Sequence, residues 1–107
     1  MEAVKYLDKL KAVDDLFKAK GVEISEPEFR LLHEMTKKPN GRIKDLSNLR
    51  SVATQSVSRM CGHLSARGLI SVAVNAKDKR ERFVALTPLG AKIERQYRKK
   101  IEDIVND

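Results

Sequence analysis

Within the stretch Thr54–Gly90 the hydrophobic period switches from helical to alternating, and that switch limits the fold more than any other feature of the chain. Val57, Met60, Cys61 and Leu64 fall at i, i+3, i+4 and i+7, which is one face of an amphipathic helix. Gly68 is the expected stop, and Arg67 sits at the negative end of the helix dipole. Ile70, Val72 and Val74 then alternate with smaller or polar residues, as a half-buried strand does, and Arg82–Leu86 is the returning partner. The tip between them reads Asn-Ala-Lys-Asp-Lys-Arg-Glu-Arg. A helix with a small outer face, followed at once by a basic β-ribbon, suits the grooves of duplex DNA.

The rest of the chain supplies helices around this unit. Ala3, Tyr6, Leu10, Val13 and Phe17 recur at three and four, widened by Leu7 and Leu16, so residues 2–20 are expected to form an amphipathic helix ended by Gly21. Ser25 and Glu28 stand at capping-box spacing with Pro27 in the first turn, opening a helix that buries Phe29, Leu32 and Met35. Pro39-Asn40-Gly41 stops it, and a short helix with Ile43, Leu46 and Leu49 inward follows. Thr87 and Pro88 read as N-cap and first position of a last helix, 88–106, with Leu89, Ile93, Tyr97, Ile101 and Ile104 or Val105 on one side. The fold class is therefore mainly α with a small β-hairpin, a winged helix-turn-helix of order α-α-α-α-β-β-α. At 107 residues, 1–107 is expected to be a single domain.

Charge concentrates where the helix and ribbon lie. The chain carries +7 overall. Nine basic residues between Gly41 and Arg82 (Arg42, Lys44, Arg50, Arg59, Arg67, Lys77, Lys79, Arg80, Arg82) face only three acidic ones, Asp45, Asp78 and Glu81. A basic middle between nearly neutral ends is what a phosphate-facing patch requires, the alternative being a solvated basic surface without a partner. The single cysteine, Cys61, excludes an internal disulfide and a Cys-rich zinc site, and lies on the apolar face of its helix. His33 and His63 lack the companions a metal site needs, so neither metal nor cofactor is expected. No nucleophile–base pair or phosphate-binding Gly loop stands at useful spacing, which argues against an enzyme. The apolar runs are too short to span a bilayer, and the charged N-terminus lacks a signal-peptide core, so a cytoplasmic protein is expected.

Opposite the Val57 face of helix 54–67 lie Gln55, Arg59, Gly62 and Ala66, flanked by Ser56, Ser58 and His63, with no acidic residue from Thr54 to Arg67. Gly62 costs roughly 1 kcal/mol of helix propensity relative to Ala, which demands either close approach to a duplex or close packing on another helix. Gln55 can pair with adenine and Arg59 with guanine in the major groove, while Ser56 and Ser58 can donate to phosphates. In the wing, 75–82, four of the six residues from Lys77 to Arg82 are basic. Arg80 is the candidate for the minor groove, oriented by an ion pair with Asp78. The candidate DNA-binding residues are thus Arg42, Lys44, Thr54, Gln55, Ser56, Ser58, Arg59, Lys77, Asp78, Lys79, Arg80 and Arg82. Surplus apolar surface on the two terminal helices (Tyr6, Leu7, Leu10, Val13, Phe17; Ile93, Tyr97, Ile101, Ile104) is expected to be buried in a homodimer, the alternative being a monomer in which these helices pack on each other and on the core.

These pieces resemble the MarR-type winged-helix transcription regulators of bacteria and archaea. The likeness lies in Ser56-Val57-Ser58-Arg59, in Leu64 to Gly68-Leu69-Ile70, in Asp78-Lys79-Arg80 and in Leu86-Thr87-Pro88-Leu89-Gly90, and extends loosely over Glu23–Met35. It implies groove contacts at Gln55, Ser56, Ser58 and Arg59 and a wing arginine at Arg80 supported by Asp78. It also implies a dimer held by terminal helices and, as in many members, a small-molecule effector, here unidentified. The chain departs from the family pattern in its shorter length, in Leu49-Arg50-Ser51 and at Ala53, where a cap residue is usual. Two functions are expected to compete. One is a sequence-specific regulator of transcription on double-stranded DNA, a dimeric repressor. The other is a winged-helix module for protein or non-specific nucleic-acid binding within a larger assembly.

Overall fold

The structure, a computed structural model, describes residues 1–50 and 53–107, the side chains of 48–50 apart. The inward position expected of Leu49 and the Leu49-Arg50-Ser51 turn lie outside the described residues. The elements are α1 (Glu2–Lys18), α2 (Glu26–Lys37), β1 (Gly41–Arg42), α3 (Ile43–Arg50), α4 (Thr54–Ala66), β2 (Ile70–Val74), β3 (Arg82–Leu86) and α5 (Pro88–Val105). The fold is mainly helical with a small antiparallel sheet.

Local chemistry sets the boundaries. The Ser25 hydroxyl accepts from the Glu28 N–H at 3.2 Å and the Glu28 carboxylate accepts from the Ser25 N–H at 2.8 Å, closing the expected capping box of α2. Thr87 caps α5 by accepting from the Gly90 N–H at 3.0 Å, while its own hydroxyl donates to the Gly68 carbonyl at 2.6 Å. Gly68 has φ +75°, the left-handed conformation that ends α4 and starts β2. Gly90 is required for a different reason, since a Cβ there would collide with the Leu69 carbonyl where α5 crosses the start of β2.

The two-stranded hairpin expected from the sequence is corrected to a three-stranded sheet of order β1-β3-β2. Gly41 and Arg42, reached through Asn40 at φ 58°, pair with Val84 and Phe83. Two residues carry no readable period, so β1 was invisible to pattern. The burial expected along β2 is also corrected: Ile70 is buried, but Val72 and Val74, on the same sheet face as Ile70, are exposed.

The core joins Ile24, Leu31, Leu32 and Met35 to Ile43 and Leu46, to Val57, Cys61 and Leu64, and to Ile70, Val84, Ile93 and Tyr97. It packs α3 on α4, α4 and α2 on the sheet, and α5 on α2 and β3, fixing the outer face of α4 beside the wing. By contrast α1 has no buried residue, and only Leu16 and Phe17 reach the core. The radius of gyration, 15.3 Å, exceeds the roughly 13 Å of a compact chain this long, because the molecule extends 56 Å along one axis and 26 and 22 Å along the others.

Candidate nucleic-acid interface

Helix α4 turns Val57, Cys61 and Leu64 into the core, which forces Gln55, Ser58, Arg59, Gly62, His63 and Ala66 outward, all exposed. Ser56 is half-buried at the rim. A Cβ added at Gly62 would meet nothing within 4 Å, so close packing on another helix of this chain does not explain that glycine. No side chain caps the helix at Ala53, and no acidic residue lies in its first turn. The partial positive charge of its N-terminus is left without a counter-charge of its own.

The wing folds back toward that N-terminus. Arg42, Lys44, Thr54, Ser58, Asp78, Arg80 and Arg82 line one groove between α3, α4 and the wing, together with Ile43 and Glu81. Lys77 and Lys79 stand exposed at the tip outside it, and Gln55 and Arg59 lie on the exposed face of α4. The tip is ordered by its own side chains. Asn75 Oδ1 accepts from the Lys77 N–H at 2.9 Å and Asp78 Oδ1 from the Arg80 N–H at 3.0 Å. The expected Asp78–Arg80 ion pair is present at 3.3 Å, with the Arg80 side chain 94% exposed.

Three side-chain links had no readable signal in the sequence. The Ser47 hydroxyl donates to the Lys44 carbonyl at 2.8 Å, so the proton between Ser47 Oγ and Thr54 Oγ1, 3.0 Å apart, belongs to Thr54. Thr54 therefore anchors the start of α4 to α3, leaving Ser58 with the exposed hydroxyl. Arg42 is engaged by carboxylates on two sides, donating to Asp45 and to Glu81. Arg67 clamps the other end of α4, donating to the Glu23 carbonyl at 2.6 Å and to Glu28 at 2.5 Å. Burial alone would raise the Glu28 carboxyl, but the Ser25 N–H and the Arg67 guanidinium outweigh it and hold it below its usual value.

His33 Nδ1 lies 3.1 Å from Oε2 of the buried Glu94, which also accepts from Arg98 Nε at 3.1 Å. No group of three or more His, Cys, Asp or Glu side chains suited to a metal occurs among the described residues. Cys61 is buried, and burial pushes its thiol up to about 11, away from the thiolate that redox chemistry needs. Among the described residues no helix is long and apolar enough to cross a membrane.

The apolar residues of the terminal helices divide between the core and the surface. Tyr97 is 3% and Ile93 6% exposed, and the Tyr97 hydroxyl accepts from the Glu23 N–H at 2.9 Å. Phe17 stacks on Tyr97 at 5.7 Å between centroids and is itself half-buried, so Ile93 and Tyr97 serve the chain's own core and have little surface for a partner. Val13, Ile101 and Ile104 are half-buried. Val4, Tyr6, Leu7, Leu10, Leu89 and Val105 are the exposed large apolar residues on α1 and α5.

A sequence model of the MarR family matches residues 21–81, more than half of the chain, from the turn before α2 to the end of the wing tip. This chain is a member of the MarR family. The chain is similar to the HTH-type transcriptional regulator PetP of Rhodobacter capsulatus, 34% identical over 67 residues, which span 63% of this chain and 40% of that protein. The chain thus matches well under half the length of this relative. Among solved structures, a mutant S. aureus MepR bound to an oligodeoxyribonucleotide superposes with a TM-score of 0.82 at 16% identity, over 97% of this chain and 75% of that one. A mutant E. coli MarR complexed with operator DNA gives 0.77 at 22% identity, over 96% and 73% of the two chains. At such identities these MarR-family neighbours establish the shared winged-helix fold.

Proposed function

We propose that this chain is a sequence-specific regulator of transcription that binds double-stranded DNA, as a homodimeric repressor in the cytoplasm. The carrying observation is the exposed, acid-free face of α4 set beside a wing that projects Arg80. Gln55 and Arg59 would read base edges in the major groove, and Ser58, with the uncapped N-terminus of α4, would take phosphate. Lys44, Lys77, Lys79 and Arg82 would hold backbone, and Arg80 would enter the minor groove. MarR from E. coli and MepR from S. aureus, whose folds this chain shares, are bound to DNA in their structures. The reading assigns no reaction, metal or cofactor to the chain.

Salt dependence tests it. With ~6–10 phosphate contacts, affinity should fall by about 10³–10⁵ between 50 and 200 mM salt. A selected duplex should also bind far more tightly than random DNA. A flat salt response removes the proposal. A steep response without sequence preference replaces it with non-specific nucleic-acid binding.

A further inference from the structure

One guanidinium ties the wing to the body of the protein. Arg42 ends β1, whose register sets it opposite Phe83 on the strand that leaves the wing. Its Nε and Nη2 donate to Asp45 Oδ2 and Oδ1 at 3.0 and 3.2 Å, a two-pronged hold on the first turn of α3. Its Nη1 donates to Glu81 Oε1 at 2.7 Å. The other Glu81 oxygen accepts from Asn75 Nδ2 at 3.0 Å. The backbone closes the same loop, with the Asn75 N–H on the Glu81 carbonyl and the Glu81 N–H on the Asp78 carbonyl, both at 3.0 Å. A continuous chain of bonds therefore runs from α3 through Arg42 and Glu81 to both ends of the tip that carries Arg80.

We propose that Arg42 is a positioning residue for the wing, setting the pose of Arg80 before DNA arrives instead of contacting DNA itself. The inference rests on the DNA-binding reading of the groove. Two carboxylates more than neutralise the Arg42 charge, so little of it remains for phosphate. Glu81 is otherwise unexplained, because an acidic residue on a phosphate-facing groove weakens binding unless it is held for another purpose. The hydrogen bonds from Arg42 and Asn75 hold the Glu81 carboxyl below its usual range, so it stays charged and bonded. Exposed pairs of this kind add little to global stability; their effect is on geometry, where pre-ordering a binding loop lowers the cost of ordering it on contact.

The two roles of Arg42 predict opposite signs for Glu81→Gln. If Arg42 held phosphate, removing the competing carboxylate would free it and tighten binding to a selected duplex. If Arg42 braces the wing, binding weakens by about twofold to fivefold, the scale of one partly exposed charge pair. Arg42→Lys keeps the charge but loses the fork, and should weaken binding to the same degree, with the double variant no worse than either single one. In the DNA-free protein, amide exchange at Asn75 and Glu81 should accelerate in both variants, while the melting temperature stays near that of the parent. Tighter binding by Glu81→Gln, or unchanged exchange at the tip, overturns the brace. A parent protein that binds no duplex strikes the DNA-binding reading instead, and the exchange measurement still decides whether Arg42 holds the wing.

Discussion

Arg67 Nη2 donates to Glu28 Oε2 at 2.5 Å, joining the C-terminal end of α4 to the first turn of α2 across 39 residues of chain. The same guanidinium caps the Glu23 carbonyl ahead of α2. The outer face of α4 is thereby fixed at both ends, by Thr54 on Ser47 and by Arg67 on Glu28. Arg67→Ala should destabilise the fold by about 1 kcal/mol, charge-assisted bonds of ~1.5–3 kcal/mol being discounted for partial exposure. Chemical denaturation measures this, and a loss indistinguishable from zero would show that packing alone holds the helix.

A pH dependence follows from the same pair. The Glu28 carboxyl is lowered from 4.5 in the folded protein, so the stability it contributes is fully present above that value. It is lost as the pH falls through the lowered folded value, when the native state must take up a proton it resists. Stability of the parent should therefore drop more steeply between neutral pH and pH 3 than that of Glu28→Gln, which carries no titrating group there. Parallel pH profiles for the two proteins would count against the assignment.

Gly62→Ala separates folding from binding. Nothing lies within 4 Å of the added methyl, and Ala favours a helix by roughly 1 kcal/mol, so the variant should melt a few degrees higher. If the small surface at Gly62 lets α4 approach a duplex, the same variant should bind a selected site more weakly. Raised stability with unchanged affinity would show that approach does not depend on this position.

How much of this could be read from the chain follows the range of each interaction. The buried stripe of α4 and the caps at Ser25 and Thr87 were legible because period and cap chemistry operate within a few residues. The Asp78–Arg80 pair was legible for the same reason, its partners being two residues apart. Arg42 was read as a phosphate contact because its charge is visible in sequence, whereas Glu81, 39 residues away, is brought to it only by β1 pairing with β3. Tyr97 and Leu10 looked alike as stripe residues. A stripe gives a direction along a helix but not what covers it, and only Tyr97 meets the core.

Arg59 and Arg80 should fail differently. Arg59→Ala is expected to weaken a preferred site by about 1–3 kcal/mol and relax preference at one base position, as loss of a bidentate base contact does. Arg80→Ala should weaken binding more evenly across sequences, with any lost selectivity confined to A·T-rich minor groove. Competition assays with single-base-substituted duplexes distinguish them. Equal losses on selected and random DNA for Arg59→Ala would reduce Arg59 to a phosphate contact.

Assembly is tested on the residues the fold leaves bare. Leu7 is 61% exposed on α1, so Leu7→Asp should leave a monomer folded, within about 0.5 kcal/mol of the parent. In a dimer built on that face the same charge is buried without a partner and splits the pair. Sedimentation at micromolar concentration should give a parent of twice the 12.1 kDa chain mass and a Leu7→Asp variant of the chain mass alone. Affinity for a site with half-sites one helical turn, about 34 Å, apart should fall with it, although Leu7 lies far in sequence from Gln55, Arg59 and Arg80. Tyr97→Asp is the contrasting control. Placing a carboxylate where a 3%-exposed tyrosine stacks on Phe17 should unfold the chain instead of dissociating it, costing on the order of 3–5 kcal/mol. A parent that sediments at 12.1 kDa removes the dimer. A Leu7→Asp protein that still sediments at twice that mass moves the interface to another face.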